Sequence, residues 1–268
     1  MKKLKLRSGF ISAAIWIISM SGFLLLLGFV EHNQHERATV GLRIKVKDTN
    51  NNYFIEPLDI ENLLNAKGRK LVGMPMHDIN IPMLEKIVYT NAYVDRAEVY
   101  STIDGYVNID VWQRDPVVRI INAENEHYYI DVNGEFMPVT DKFSKSVVVA
   151  NGYIFDRLKQ KSLTFASPLP DVDVKPILIQ INEVAHFLRE NEFWNSQIEQ
   201  IYVNQNFELE LIPRVGNHKI IIGDSQNLSG KLDNLHVFYT EGATKAGWNK
   251  YTDINLKYQG QVVCTKAK

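Results

Sequence analysis

From Phe10 to Val30 the chain runs for 21 residues without a charge (FISAAIWIISMSGFLLLLGFV), and Lys2, Lys3, Lys5 and Arg7 stand just before that run. At about 1.5 Å per helical residue, such a stretch reaches roughly 30 Å, the hydrocarbon thickness of a bilayer. The pattern predicts a transmembrane helix over 10–30. Cations are retained on the cytoplasmic side of a span, and Glu31, His32, Asn33, Gln34, His35 and Glu36 separate it from the next cation, Arg37. Residues 1–9 therefore read as a cytoplasmic tail, with everything after the span outside the cytoplasm. A cleaved leader is the alternative, but its apolar region is shorter and closes on a small-x-small site, whereas this run closes on Gly28-Phe29-Val30-Glu31-His32.

Beyond the run, Leu42, Ile44 and Val46 alternate with Arg43, Lys45 and Lys47, the period of a half-buried strand. Pro57 then opens a helix with Ile60, Leu63 and Leu64 on one face, closing near Gly68. A second helix starts at about Asn80, with Pro82 in its first turn and Leu84, Ile87 and Val88 along one side. Two strands follow, with Ala97 and Val99 inward on one and Val107, Ile109 and Val111 inward on the other, joined by a tight turn at Asp104-Gly105. The predicted order over 38–116 is strand, helix, helix, strand, strand.

At Arg114-Asp115-Pro116 the texture changes to a run of strands, and a second domain is predicted over 117–268. Tyr128 to Asp131 and Phe136 to Val139 flank Asn133-Gly134, a strong hairpin signal, and Val147 to Val149 form a short apolar strand. Pro176 opens a helix carrying Ile177, Ile181, Val184, Ala185 and Leu188, with Asp173 available as a cap. Phe207, Leu209 and Leu211 alternate with Glu208 and Glu210, and Ile220 to Ile222 make a return strand. Asp224 or Ser225 caps a last helix through Leu228, Leu232, Leu235 and Phe238. Ile254, Leu256 and Tyr258 then alternate against Asp253, Asn255 and Lys257, before Gln259-Gly260 and a final Val262-Val263. The fold class expected is α+β: the single N-terminal transmembrane helix, the mixed strand-helix-helix-strand-strand domain, and a mainly antiparallel β domain with two helices.

Charge excludes one class of partner. With 30 basic and 31 acidic residues and no basic block beyond the N-terminal one, nothing asks for nucleic acid. The one cysteine, Cys264, forbids an intramolecular disulfide. Phosphate-cradling GxxxxGK[ST], HExxH, GxSxG and CxxC are all missing. Gly223-Asp224-Ser225 with Asp233-x-x-His236 is similar to the two blocks of SGNH-type esterases, but those lie far apart in such enzymes, whereas eight residues separate Ser225 from Asp233 here. A helix cap and a solvated helix face are the expectation. His32-x-x-His35 is the one close histidine pair and lacks two further ligands for zinc. Glu208 and Glu210 read as an exposed strand face, and Trp16, Trp112, Trp194 and Trp248 show no regular spacing, as packing aromatics do. No catalytic residue, cofactor or metal is expected.

Four segments together carry a family resemblance. Val94-Asp95-Arg96-Ala97-Glu98-Val99 through Val107-Asn108-Ile109-Asp110-Val111 is similar to the closing hairpin of a POTRA domain, and Arg114-Asp115-Pro116-Val117 to the junction that follows it. Ile130-Asp131-Val132-Asn133-Gly134-Glu135-Phe136 is similar to a Val-Asp-x-x-Gly hairpin. Tyr251-Thr252-Asp253-Ile254-Asn255-Leu256-Lys257-Tyr258 is similar to a terminal Tyr-x-x-Ile-Asp-Leu-Arg-Tyr strand, with Ile222-Gly223 and Lys231-Leu232 ahead of it. In this order, covering nearly the whole chain, they resemble the FtsQ/DivIB family of bacterial cell-division proteins. Asn255 and Lys257 replace that family's usual Asp and Arg, and the turn at Thr102 to Gly105 lacks its frequent Pro.

The resemblance implies a noncatalytic divisome scaffold, single-pass type II in the bacterial inner membrane at the division septum. Its extracytoplasmic (periplasmic) domains would bind small bitopic partners of the FtsB/FtsL kind and other divisome components, and help control septal peptidoglycan synthesis. The expected partner-binding residues are Tyr251, Asp253, Ile254, Asn255, Leu256, Lys257, Tyr258, Gly260, Val262 and Val263, acting through an exposed strand edge whose unpaired N–H and C=O groups accept a partner strand. That this strand lies inside the sheet instead stays open. A membrane-anchored extracytoplasmic hydrolase is the alternative function; it requires Ser, His and a carboxylate to converge in a pocket.

Overall fold

The computed structural model describes residues 15–26, 38–47, 53–68, 70–158, 175–243, 247 and 250–267. Residues 15–26 are helical (α1) and expose Trp16, Leu25 and the other large apolar side chains. Among the described residues no helix is long and apolar enough to cross a membrane. The two ends of the predicted span, its flanking cations, the His32/His35 pair, the Asp173 cap and Trp248 all lie outside the described residues.

The chain divides into two compact units, Met1–Thr49 with Ile55–Gln113, and Asn50–Phe54 with Arg114–Lys268. In the first, β1 (Gly41–Lys47), α2 (Pro57–Ala66), a 3-10 turn (Met76–Asp78), α3 (Ile81–Val88), β2 (Val94–Ser101) and β3 (Tyr106–Gln113) follow one another. The sheet order is β1-β3-β2, with β1 parallel and β2 antiparallel to β3. Period-2 alternation turns Val107, Ile109 and Val111 of the central strand inward at 0% exposure. Ile60 and Leu64 of α2 and Leu84, Ile87 and Val88 of α3 are buried in the same unit. Asn80 starts α3 as the spacing predicts: its side chain accepts the N–H of Met83 at 3.0 Å.

In the second unit, nine strands among the described residues form one mixed sheet. They are β4 (Pro116–Ile121), β5 (His127–Asp131), β6 (Phe136–Pro138), β7 (Val148–Gly152), β8 (Ile198–Val203), β9 (Leu209–Pro213), β10 (Lys219–Gly223), β11 (Tyr251–Asn255) and β12 (Val263–Lys266). Their order across the sheet is β12-β11-β10-β9-β8-β7-β4-β5-β6. β4 and β7, β7 and β8, and β10 and β11 pair in parallel and the other five pairings are antiparallel, so the expected mainly antiparallel domain is a mixed sheet in which antiparallel pairs predominate. Helices lie in the β7–β8 and β10–β11 connections and the β5–β6 hairpin in the β4–β7 connection, and a strand's own pattern says nothing of its neighbour's direction.

Three α-helices pack here among the described residues, α4 (Ile177–Glu190), α5 (Glu192–Gln197) and α6 (Leu228–Val237), where two were expected. The unforeseen α5 is a short helix capped by Asn191, whose side chain accepts the N–H of Trp194 at 3.1 Å. The core joins Ile181, Val184 and Leu188 of α4 and Leu232 and Leu235 of α6 to Ile120, Ile130, Ile201, Leu211, Ile220 and Ile254 of the sheet. Each such aliphatic side chain contributes about 1.5–3 kcal/mol on burial.

Candidate interaction edge of the C-terminal sheet

The segment from β10 to β12 builds one border of the large sheet. β10 ends at Gly223 with φ +76, and a Cβ there would come within 2.9 Å of the Lys257 side chain, so the residue is glycine for both space and conformation. The loop after it is tied by polar side chains. Asp224 accepts the N–H of Gln226 at 3.1 Å, and Lys231 reaches back from α6 to the carbonyl of Ile222 (2.8 Å), the carbonyl of Asp224 (3.0 Å) and its carboxylate (2.7 Å). The residue before α6 is Asn227, in left-handed backbone at φ 49, so neither Asp224 nor Ser225 is the helix cap. A π-helical turn, Phe238–Ala243, follows α6 and buries Tyr239 against Trp194.

β11 then pairs in parallel with β10, and β12 returns antiparallel to β11 after a turn at Tyr258 to Gly260, where Gly260 has φ +68. The N–H of Leu256 donates to the carbonyl of Ile221 at 2.9 Å. Alternation therefore turns Ile254 and Leu256 toward β10, and the peptide groups of Asp253 and Asn255 toward β12. Asn255 pairs with Val263 and Asp253 with Thr265, while the N–H of Ala267 donates to Lys250 at 2.9 Å. With Val263, Thr265 and Ala267 facing β11, the peptide groups of Cys264 and Lys266 point to the open border.

These placements correct the edge expectation. The strand Tyr251–Asn255 has a neighbour on each side, and the edge is β12, of whose residues only Val263 was singled out. Ile254 and Leu256 are core residues at 1% and 3% exposure. Tyr251 packs edge-on against Phe238, Asp253 lies 3.6 Å from the Lys219 ammonium, and Asn255 accepts the N–H of Lys257 at 3.0 Å. Val262 packs against the core. Tyr258 and Val263, by contrast, are exposed at 54% and 45%. With Lys257, Gln259 and Gly260 the exposed turn borders a polar depression of about 570 Å³ that also touches Asn227 and Asn234.

Lys257 pairs with Glu208 at 2.7 Å, and that hydrogen bond holds the ammonium above its ordinary pKa and the carboxyl below its own. Glu208 and Glu210 do not form an open acidic face. Glu210 is buried, accepts from Asn204 at 3.0 Å and lies 3.2 Å from the Lys219 ammonium. Burial pushes the Cys264 thiol up, away from reactivity.

The hydrolase groups do not converge. Ser225 donates to Glu183 at 2.5 Å, and Glu183 is itself paired with Lys175 at 2.7 Å. His236 sits in the last turn of α6 with its ring edge-on to Phe193 at 4.8 Å. Among the described residues no group of three His, Cys, Asp or Glu is placed to hold a metal ion.

The nearby His218 has a testable consequence. It is 4% exposed, its Nε2 lies 2.8 Å from the Tyr239 hydroxyl, and burial lowers its pKa from the ordinary 6.5. The unfolded chain thus binds this proton more readily than the folded one. Stability contributed by neutral His218 is complete above about pH 6.5 and is lost as pH falls below it. His218→Gln, which keeps a hydrogen-bonding group without a titration, is expected to flatten the fall in melting temperature between pH 7 and pH 5. An unchanged slope would show that His218 does not carry this dependence.

The chain thus carries a small three-stranded sheet with two helices, followed by a large mixed sheet bordered by the short strand β12. Residues 115–265, more than half of the chain, match the family model FtsQ/DivIB, C-terminal related, and residues 38–112 match that of a POTRA-like domain. The chain belongs to the FtsQ/DivIB family of cell-division proteins, which is generally noncatalytic. No curated protein matches it at a significant level.

Proposed function

We propose that this protein is a membrane-anchored, noncatalytic scaffold of the division machinery, held by the helix over 10–30 with its two folded units outside the cytoplasm. It captures small bitopic partners of the FtsB/FtsL kind by adding a partner strand to β12, and through that contact helps control septal peptidoglycan synthesis. The observation that carries the reading is β12 itself. It is a four-residue border strand whose outward N–H groups, on Cys264 and Lys266, have no strand beside them among the described residues. Such pairing draws affinity from the backbone and specificity from alternate side chains and the adjoining turn, here Lys257 and Tyr258.

The geometry selects the substitution. Proline at Asn255 would remove a donor from the β11–β12 ladder and damage the sheet. Lys266→Pro removes an outward N–H and leaves that ladder's donors in place. It is expected to weaken capture of the partner's extracytoplasmic domain at least tenfold with an unchanged melting transition, while Ser225→Ala and His236→Ala capture as the wild type does. Wild-type capture by a folded Lys266→Pro variant would refute strand addition at β12. Loss of division function on Ser225→Ala with the fold intact would favour the hydrolase.

A further inference from the structure

Three exposed aliphatic side chains of the N-terminal unit lie on segments that meet where β1 begins. Val40 precedes β1, Val72 lies in the loop after α2, and Ile103 tops the β2–β3 hairpin, at 56%, 54% and 75% exposure. Main-chain hydrogen bonds join the three segments: the N–H of Thr39 to Met74 (2.7 Å), of Gly73 to Thr39 (2.8 Å) and of Val40 to Gly105 (2.7 Å). The Val40 side chain lies so close over the hairpin that a Cβ at Gly105 would be 2.9 Å from its Cγ2. Scattered apolar residues on a surface are ordinary, but three on adjoining segments form a patch.

The position of the patch along the chain identifies what faces it. Val40 stands ten residues after Val30, the last residue of the apolar run, so even a fully extended connection spans no more than about 36 Å. β3 leaves this end at Tyr106 and finishes at Gln113, with β1 parallel to it, so the opposite end of the sheet lies roughly 20 Å farther along. Of the whole unit, the patch is the part tethered nearest to the bilayer.

We propose that this tip of the N-terminal unit rests on the outer surface of the membrane, with Val40, Val72 and Ile103 entering the headgroup zone. The inference depends on the reading of 10–30 as an anchor. The contact is shallow, because Asp104, next to Ile103, is ion-paired with Arg43 at 2.8 Å and both remain about half exposed, so this pair stays at the hydrated level. Anchor and tip together give the unit two attachments to one surface and restrict its swing about the connection.

The test uses the full-length protein in vesicles of phosphatidylethanolamine and phosphatidylglycerol, with Cys264→Ser as background. Val40→Cys, Val72→Cys and Ile103→Cys are each labelled with a small fluorophore, and quenching by lipids bearing a nitroxide near the headgroup is measured. Tyr89→Cys is the distant reference: Tyr89 is 48% exposed beyond α3, near the start of β2, which pairs with the far end of β3. Leu25→Cys reports the apolar run. Quenching at least threefold above that of Tyr89→Cys is expected for two or more of the tip positions. If Leu25→Cys is quenched while the tip positions match Tyr89→Cys, the tip contact is refuted and the anchor stands. Loss of quenching at Leu25→Cys, with protein washing off the vesicles, overturns the anchor reading and the tip contact with it. Tip labels shielded from aqueous iodide but untouched by lipid nitroxide would mean that protein covers the patch, which also overturns the proposal.

Discussion

Gly152→Ala is expected to destabilise the C-terminal unit by roughly 3–5 kcal/mol, lowering its melting temperature by about 10 °C or more. Gly152 closes β7 at φ +101, and a Cβ there would stand 2.2 Å from the carbonyl oxygen of Val203 and 3.0 Å from the Tyr202 ring. That carbonyl also accepts the N–H of Tyr153 at 3.0 Å, so the methyl group must push apart the strands whose pairing continues at that point. Backbone strain of about 1–3 kcal/mol adds to a lost hydrogen bond of about 1 kcal/mol and to the displacement of Ile154, which is fully buried in the core. Gly68→Ala is the matched comparison. Gly68 has φ +72 but nothing within 4 Å of its Cβ position, so it carries only the left-handed cost of about 1–2 kcal/mol. Denaturant unfolding of the two variants separates steric collision from conformational strain. Equal losses would show that the approach of β7 to β8 is not tight.

Both of those glycines were plain in the sequence, and neither could be weighed there. What the sequence did reveal follows from burial with one period. In the N-terminal unit the strands alternate apolar with polar residues and each helix has one apolar stripe, so alternation and capping residues located all five main elements. In the large sheet the signals weaken where geometry breaks the period. β8 was not foreseen because its register shifts between Ile198 and Gln200 against β9, which interrupts the alternation. Phe207 reads as a strand residue by its spacing to Leu209 and Leu211. Instead it sits in a turn at φ 58, where Asn204 accepts the N–H groups of Asn206 (2.9 Å) and Glu208 (3.1 Å). The Asn204-Gln205-Asn206 run carried that turn chemistry and could have revealed it.

The candidate edge was legible in part for the same reason. The stretch from Ile254 to Tyr258 alternates strongly because Ile254 and Leu256 are core residues, and that strength marks a strand covered on both sides as well as one at a border. The true border, Val263 to Lys266, is four residues long and carries one half-buried residue, Cys264, too short for a period to show. Edge strands that avoid aggregation are kept short and charged, so the shortness that guards β12 against indiscriminate pairing also hides it from pattern reading.

Two segments that bear the family resemblance are physically one feature, and the second large effect is expected where they meet. Asp131, at 0% exposure, accepts the N–H groups of Asn133 (2.9 Å) and Glu135 (2.8 Å) on one carboxylate oxygen and the Arg114 guanidinium (2.7 Å) on the other. The hairpin at Asn133-Gly134 is thereby locked to the strand that begins at Pro116. The adjacent Asp115 is ion-paired with Lys145 and Arg189, and these two hydrogen-bonded partners hold its pKa below the usual carboxylate range, although burial acts in the opposite sense. Asp131→Ala leaves two hairpin donors and a mostly buried guanidinium without their acceptor, which costs about 3–5 kcal/mol in the C-terminal unit. Asp131→Asn keeps an oxygen for the two backbone donors and puts an NH2 donor opposite Arg114, removing that acceptor together with the charge, so roughly half of that loss is expected. The difference between the two variants in denaturant unfolding therefore measures the turn, and the loss in Asp131→Asn measures the ion pair. If Asp131→Asn is as damaging as Asp131→Ala, the charge on Asp131 rather than its grip on the turn holds the hairpin to β4.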